Sequence, residues 1–508
     1  MQPVETEFGR KRRIDQTSCN KDFSCVSGFC PSFVTVHGAK LKKADGLKAL
    51  AGALDGVPEP ETFSLDEGWA AVINGVGGTG IVTIASILGM AAHLEGKGCG
   101  MIDMAGLAQK GGAVFSHMRI AKTPADISAI RVSAGKADLI LGCDLVVSGA
   151  KTVLASAREN HTLFVANTAE IMPGDFTRSP DYSLPVERLK RAISKAAGEG
   201  KAHFFNATET TRALFGNTVA ANMFMLGFAF QKGGVPLSAD AVEKAVELNG
   251  EAVQMNVDAF QWGRRAAHEP DFVQGMVDKA RVAPPALATS LDDIIAKRAA
   301  FLTAYQNADY AARYKNLLEP VLAAEKNALG SSTLVSEAAA RSLFKLMAIK
   351  DEYEVARLYT NGAFVAQLGE AFASYERLEF HLAPPAFSRK NAKGQLVKRR
   401  FGAWMLNAFG VLARFKVLRG TPFDVFGYSA ERSMERGLIT AYEQDLAFAA
   451  ERLDPTHQAD ITELLSLPME IRGFGHVKHA NLEKTQIKRS HLMAKIAGEA
   501  QDLAIAAE

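Results

Sequence analysis

The sequence predicts an α/β protein: a doubly wound parallel sheet, preceded by a short cysteine-bearing segment and followed by a mainly α-helical region. Three observations carry this. Short apolar runs alternate with helical patterns from Ala70 to Asn206, the rhythm of a sheet covered on both faces. A glycine-rich turn, Gly75-Val76-Gly77-Gly78-Thr79-Gly80, stands between the first run and an apolar helix. From Thr208 to about Arg265 the pattern is wholly helical, and it becomes helical again beyond a proline- and alanine-rich joint, Arg281–Ala288.

At roughly 100–200 residues per domain, a chain of 508 residues has room for about three domains. Lys plus Arg number 58 and Asp plus Glu 56, a net charge of +2, with 48% hydrophobic and 22% charged residues. That balance speaks against intrinsic disorder and against a nucleic-acid binder that relies on a uniformly basic surface. No unbroken apolar stretch approaches the length of a membrane span, so no membrane association is expected. The first residues are polar and carry Arg10, Lys11, Arg12 and Arg13, unlike a secretory leader. Five cysteines are too few for a disulfide scaffold, and a reducing, cytoplasmic location is expected.

Residues 1–50 read as a polar, cysteine-bearing segment, 65–270 as the α/β domain and 285–508 as the helical domain. Within the α/β domain, Ala70–Asn74 is the first strand, the glycine turn follows, and a helix runs to about His93. Further strands are expected at Gly98–Met104, Val114–Ile120, Asp138–Asp144, Thr162–Asn167 and His203–Asn206. Beyond the joint, Leu343, Leu346 and Met347 recur at the spacing of an amphipathic helix. A break at His381-Leu-Ala-Pro384-Pro385 predicts a hairpin turning near Lys393-Gly394, and a second break covers Leu467–His476.

The strongest chemical signal is Cys19-x5-Cys25-x4-Cys30-Pro31. Thiolates gathered in a short loop can wrap a [4Fe–4S] cube, and a last cysteine followed by proline is common in such loops. A zinc knuckle, or three free thiols, fits the spacing as well. A cube needs four ligands and three are local. Cys99 and Cys143 fall in predicted strands, where a thiol is most often a small buried hydrophobe.

Gly75-x-Gly77-Gly78-x-Gly80 follows a strand and opens a helix, a Rossmann-like context in which free backbone N–H groups and the helix dipole favour an anion. Asp103 closes the next strand, where a dinucleotide-binding acid would grip a ribose. A purely structural turn remains open. A second glycine-rich loop, Gly106-Leu-Ala-Gln109-Lys110-Gly111-Gly112, would add donors to the same crevice.

Two stretches resemble the 2-oxoacid:ferredoxin oxidoreductase superfamily, and within it the indolepyruvate ferredoxin oxidoreductases. Arg12–Val34, with its three cysteines, is similar to the second half of their ferredoxin-like module. Gly75–Gly80 with Gly106–Val114 and Ser116-His117 is similar to their gamma domain. Thr421-Pro-Phe-Asp424-Val-Phe-Gly-Tyr428-Ser-Ala-Glu431-Arg432 and Ile471–Lys478 resemble the helical extension of long members. The resemblance implies oxidative decarboxylation of aryl 2-oxo acids to the arylacetyl-CoA or arylacetate, with electrons passed through iron–sulfur clusters to ferredoxin. Thiamine diphosphate would supply the carbanion chemistry.

No Gly-Asp-Gly thiamine signature occurs, and the first C-x2-C-x2-C run is missing. The resemblance therefore implies one subunit of a split enzyme. Thiamine diphosphate with Mg would lie on a large alpha-type partner, ferredoxin would accept electrons and coenzyme A would be a co-substrate. It also implies that Cys19, Cys25 and Cys30 ligate a shared [4Fe–4S] cluster. Gly75, Gly77, Gly78, Gly80, Gln109, Lys110, Gly111 and Gly112 would border the cofactor crevice.

No catalytic residue is assigned, and His117 reads as a satisfied core or interface histidine. The run Arg389, Lys390, Lys393, Lys398, Arg399, Arg400 reads as a solvated hairpin or as a patch for an acidic ferredoxin or coenzyme A phosphates. Asp424, Glu431 and Arg432 are expected in structural ion pairs. Arg472, His476 and Lys478 would make such pairs or face an interface. Two other functions remain open: an independent NAD(P)-dependent oxidoreductase using the glycine loop and Asp103, and a non-catalytic assembly subunit.

Overall fold

The computed structural model describes residues 2–17, 19, 21, 23–27, 33–42, 56–61, 63–106, 112–172, 181–280, 287–383, 397–473 and 476–498. The chain divides into two compact units, Met1–Lys21 with Lys42–Pro285, and Asp22–Leu41 with Ala286–Glu508. The N-terminal segment carries four short strands: β1 (Gln2–Val4), β2 (Lys11–Arg13), β3 (Val34–His37) and β4 (Lys40–Leu41). β1 and β2 pair as an antiparallel hairpin within the first unit.

The sheet of the first unit is built from β5 (Trp69–Val76), β6 (Gly98–Ala105), β7 (Ala113–Ala121), β8 (Leu139–Gly142), β9 (Leu163–Asn167) and β10 (Ala202–Phe205). Their spatial order is β10-β9-β8-β5-β7-β6. β5, β8, β9 and β10 run parallel. β7 runs antiparallel to both neighbours, which corrects the expectation of a wholly parallel sheet. The reason is length. Only residues 106–112 join β6 to β7, and a parallel crossover needs a dozen residues or more.

Helices cover both faces: α1 (Ile81–Leu94), α2 (Leu145–Ser148), α3 (Lys151–Leu154), α4 (Val186–Ala197), α5 (Ala207–Phe215), α6 (Ala221–Gln231), α7 (Ala239–Asn249), α8 (Val253–His268) and α9 (Pro270–Ala280). The two-residue period of a strand sorts its side chains between them. Trp69, Ala71 and Ile73 of β5 pack into a core with α1, α6 and α8. Ala70 and Val72 join Ile140, Phe164 and Ile193 on the opposite face. Each fully buried Ile, Leu or Phe of these cores contributes about 1.5–3 kcal/mol. The indole of Trp69 also donates to Gly234 O at 3.0 Å.

α6 and α8 cross at closer range than side chains allow. A Cβ on Gly227 would lie 1.9 Å from Phe260 O, and one on Gly263 would lie 1.9 Å from Phe224 O. The two glycines face each other's helix reciprocally, so the backbones themselves form the contact.

The second unit is helical, as expected: α10 (Leu291–Tyr305), α11 (Ala308–Leu329), α12 (Leu334–Met347), α13 (Glu352–Thr360), α14 (Ala363–Ala371), α15 (Met405–Arg414), α16 (Ala430–Arg452), α17 (Gln458–Ser466) and α18 (His476–Ala497). Asn307 and Asp351 start α11 and α13, accepting from Tyr310 N and Glu354 N. Leu343, Leu346 and Met347 of α12 are buried in the core, as their spacing predicts.

The unit also holds strands that a purely helical reading omits: β11 (Phe372–Ser374), β12 (Arg377–Leu382) and β13 (Arg399–Phe401). β12 and β13 pair antiparallel, as the expected hairpin requires; its turn near Lys393 lies outside the described residues. The third strand of that sheet is β3, contributed by the cysteine-bearing segment. Among the described residues no helix is long and apolar enough to cross a membrane.

Candidate functional site

The order of the strands locates a crevice. From β5 the chain travels through α1 to the β6–β7 pair on one side, then returns to β8 on the other. The carboxyl ends of β5 and β8 thus form a topological switch point, where ligands of open α/β sheets bind. Four predicted glycines lie there with different tasks. A side chain on Gly75 would collide with Ile81 Cδ1 at 2.6 Å and crowd Cys143 Cβ at 3.1 Å, so this glycine lets α1 close onto the sheet. Gly77 N donates to Gly112 O at 2.8 Å, tying the first glycine turn to the second.

Gly78 and Gly80 take φ of +84° and +91°, a left-handed backbone that favours glycine. Both are exposed, and nothing would meet a Cβ on Gly78 within 4 Å. Gly80 is the N-cap of α1 and offers no side chain to it, and the first turn holds no acidic residue. The opening N–H groups of α1 have no intrahelical acceptor and face positive dipole potential. Asn222 Nδ2 fixes the loop from α6, donating to Thr79 O at 2.7 Å. The arrangement is a rigid, open set of backbone donors suited to an anion. Of the second loop, Gly112 is described and belongs to this cluster. Gln109, Lys110 and Gly111 lie outside the described residues.

A polar floor beneath the loops escaped the sequence reading. Asn74 ends the apolar run of β5, Asn167 ends β9, Asp144 follows β8 and Asn206 follows β10. Ser148 Oγ donates to Asn74 Oδ1 at 2.9 Å, and Asn167 Nδ2 donates to Thr208 Oγ1 at 2.9 Å. Asn74 is fully buried, and its Nδ2 has no acceptor among the described residues. Burial pushes the Asp144 carboxyl above its ordinary value, against the N–H groups of Val147 and Val146 that pull it down. The signal was available: an amide or carboxylate closing each apolar strand at one edge of the sheet.

Asp103 is exposed on the edge strand β6 and accepts from the Ser116 hydroxyl. β7 separates it from β5, about 10 Å at two strand spacings. A dinucleotide acid belongs on the strand next to the glycine loop, so the position of Asp103 opposes the NAD reading. His117 is buried and its Nδ1 accepts from Val132 N at 3.2 Å. Burial, with Arg131 adding to it, holds the imidazole below its ordinary pKa. It is a satisfied core histidine, as the sequence suggests.

Cys19 and Cys25 are half-buried and in no disulfide; Cys30 lies outside the described residues. The chain around them is unusual. Lys21 and Phe23 both adopt left-handed φ, +56° and +55°. The fold of the loop aims Lys21 N at Cys19 Sγ, 3.4 Å away. Cys19 N in turn donates to Asp15 O at 3.1 Å. Asp15 is clamped by Arg212 Nη2 (2.9 Å), Gln2 Nε2 (2.8 Å) and the Thr17 hydroxyl (2.7 Å). Thr17 also meets Thr218 at 2.6 Å, so the Cys19 segment is fastened to the end of α5. In the second unit Lys398 Nζ donates to Val26 O, beside Cys25, at 3.1 Å. Burial pushes the Cys99 and Cys143 thiols up, as for inert buried thiols. Among the described residues no three His, Cys, Asp or Glu side chains gather as a metal site.

Of the basic run, Lys398 packs over Phe33, Arg400 approaches Glu379 at 3.7 Å, and Arg389, Lys390 and Lys393 lie outside the described residues. Asp424 accepts from Gly420 N and Gly427 N, which corrects the expected ion pair: this carboxylate holds a loop. Arg432 does pair, with Glu435 at 2.6 Å, and Lys478 contacts the same Glu435. Arg472 Nε donates to Met469 O, and the side chain of His476 lies outside the described residues.

Residues 70–266 match the family described as pyruvate ferredoxin/flavodoxin oxidoreductase, and residues 291–491 match a family of unknown function (DUF6537). The first of these matches covers the α/β unit with its sheet and glycine loop, and places that unit in an oxidoreductase family. The indolepyruvate oxidoreductase subunit IorB of Pyrococcus horikoshii is 32% identical over 200 residues, 39% of this chain and 95% of that protein. The protein of the same name from Methanothermobacter thermautotrophicus is 29% identical over 197 residues, 38% of this chain and 95% of its own. The pyruvate oxidoreductase subunit PORC of Thermotoga maritima aligns over 40% of this chain and 96% of its own, at 18% identity and a TM-score of 0.29. The chain belongs to the IorB family of indolepyruvate oxidoreductase subunits.

Proposed function

We propose that this chain is the beta-type subunit of a thiamine-dependent arylpyruvate:ferredoxin oxidoreductase, active only with a large alpha-type partner. The observation that carries the reading is the match of the α/β unit to nearly the full length of IorB subunits, together with the fastening of the Cys19 loop to that unit through Asp15 and Arg212.

Cys19, Cys25 and Cys30 would hold a [4Fe–4S] cluster, completed by a ligand from the partner. The donor chemistry fits: soft thiols in a short loop, with a backbone N–H on one sulfur, the kind of hydrogen bond that tunes cluster potential. Thiamine diphosphate with Mg, bound on the partner, would supply the carbanion chemistry for decarboxylating an aryl 2-oxo acid, and ferredoxin would be the electron acceptor. The residues of this chain bind and orient. Gly78, Gly80 and the opening N–H groups of α1 offer donors to a cofactor phosphate or to coenzyme A, with Gly75, Gly77 and Gly112 setting the loop. Gln109, Lys110 and Gly111, outside the described residues, would add donors to the same crevice if the resemblance holds for them. Asn222 keeps the donors in place, so little ordering entropy is lost on binding.

The test is anaerobic co-purification with the partner, followed by an assay of phenylpyruvate- or indolepyruvate-dependent ferredoxin reduction. Stable association, activity and loss of iron and sulfide in Cys25→Ala are expected. Activity of the partner alone, or unchanged iron in the variant, overturns the reading.

A further inference from the structure

The helical unit contains a cavity of about 410 Å³ that the oxidoreductase reading does not use. It lies within the size range of small-molecule sites. Four arginines (313, 419, 432 and 436) and two aspartates (351 and 424) line it, beside Ile349, Phe426 and Ile439. The partners of these charges decide what the cavity can hold.

Arg419 is the rigid element. Its Nε and Nη2 donate to Asp351 at 2.6 and 2.9 Å, and Nη1 donates to Tyr305 O at 2.8 Å. Its guanidinium carbon lies 3.7 Å from the Tyr305 ring centroid. An arginine has five N–H donors, so two remain. Asp424 is satisfied by Gly420 N and Gly427 N, at 2.9 and 3.1 Å, and by the Tyr353 hydroxyl. Arg432 faces Glu435 and Glu352, and Arg313 faces Glu443. Arg436 differs. It donates to Gly427 O at 2.8 Å and has no acidic side chain within ion-pair distance among the described residues. The cavity is therefore lined by the exposed Arg436, with no acidic partner among the described residues, and by Arg419, with two N–H groups left over from its three hydrogen bonds, beside Ile349, Phe426 and Ile439.

We infer that this cavity binds a small organic anion, a carboxylate on an aromatic body. The acid group meets Arg436 and the free N–H groups of Arg419, a charge-assisted and geometrically selective contact. The ring lies against Phe426, Ile349 and Ile439. Free phosphate would satisfy the arginines and leave the apolar wall in water, so the aromatic acid is favoured.

The choice of an arylacetate as ligand rests on the oxidoreductase reading, whereas its binding to this chain is tested without the partner and without turnover. Phenylacetate and inorganic phosphate are titrated calorimetrically into the full chain, with Arg436→Gln and Thr440→Phe as variants. Thr440 also lines the cavity, where an added ring removes volume. Saturable 1:1 binding of phenylacetate is expected, with phosphate weaker by about tenfold or more. Arg436→Gln should weaken phenylacetate about tenfold, the equivalent of about 1.4 kcal/mol, and Thr440→Phe should abolish its binding. The proposal is overturned by no saturable phenylacetate binding at millimolar concentration, by binding that both variants leave unchanged, or by phosphate binding as tightly.

Discussion

Asp15 and Arg212, 197 positions apart in the chain, meet at 2.9 Å. Arg212 sits on α5 of the sheet domain, and Asp15 accepts its hydrogen bond while its own carbonyl receives Cys19 N. The ion pair thus transmits the position of α5 to Cys19, the first of the three clustered cysteines. Burial raises the pKa of Asp15, but Thr17 and Arg212 outweigh it and hold the carboxyl below its ordinary value.

A depressed carboxylate stabilises the fold above its unfolded pKa, and that stability is lost as pH falls through the folded value. The stabilisation should therefore be fully present above about pH 4 and be lost progressively as pH falls from there through the lower folded value. In a double-mutant cycle of Asp15→Asn and Arg212→Gln, read by urea unfolding, a coupling of about 1–2 kcal/mol is expected. A coupling of zero would mean that the loop is held by other contacts.

The reciprocal glycines of α6 and α8 make a contrast with the exposed loop glycine. Gly263→Ala drives a methyl into a backbone carbonyl and should cost about 3 kcal/mol or more. Gly78→Ala meets open space but a left-handed φ, and should cost only about 1–2 kcal/mol. Thermal unfolding of the two variants checks the order. Equal losses would show that the helix crossing relaxes freely.

His117 and His203 provide a pH signature of the sheet domain. Burial lowers both, with Arg131 adding to it at His117 and Lys232 and Lys201 at His203. Here the unfolded state binds the proton more readily, so this contribution is fully present above about pH 6.5. It is lost as pH falls from there toward the folded values. His117→Gln keeps an acceptor for Val132 N and removes one titrating group. Its urea midpoint should fall less steeply below pH 6.5 than that of the parent chain.

Lys398 donates to the carbonyl beside Cys25 and places a positive charge near the proposed cluster. A nearby cation favours the reduced, more negative cluster. Lys398→Gln should shift the reduction potential to more negative values in anaerobic redox titration of the assembled enzyme. A potential that does not move would place that amine outside the field of the cluster.

The strands of the sheet domain were legible because each is a short apolar run bounded by a turn signal. The direction of β7 was not, because apolar alternation is the same in either direction; only the loop length of 106–112 carries it. The glycine turn was legible as a donor-rich loop, whereas the division of labour between Gly75 and Gly78 depends on neighbours remote in sequence. The same holds for Asn74 and Asn167, whose meaning emerges only when parallel strands align their ends. Asp424 resembled an ion-pair partner, yet its partners are backbone groups, which side-chain chemistry alone does not reveal.

The pairing of β3 with β12 has a consequence for biosynthesis. Thr35 and His381, hydrogen-bonded at 2.8 Å, are 346 positions apart. At about 5–20 residues per second, the ribosome needs on the order of tens of seconds to deliver the second strand after the first. Throughout that interval the segment bearing Cys25 has no sheet to join. β3 gains this strand partner only once the first part of the helical unit, through residue 382, has been synthesised, so a nascent product that stops before β12 leaves the segment after Cys25 without its sheet.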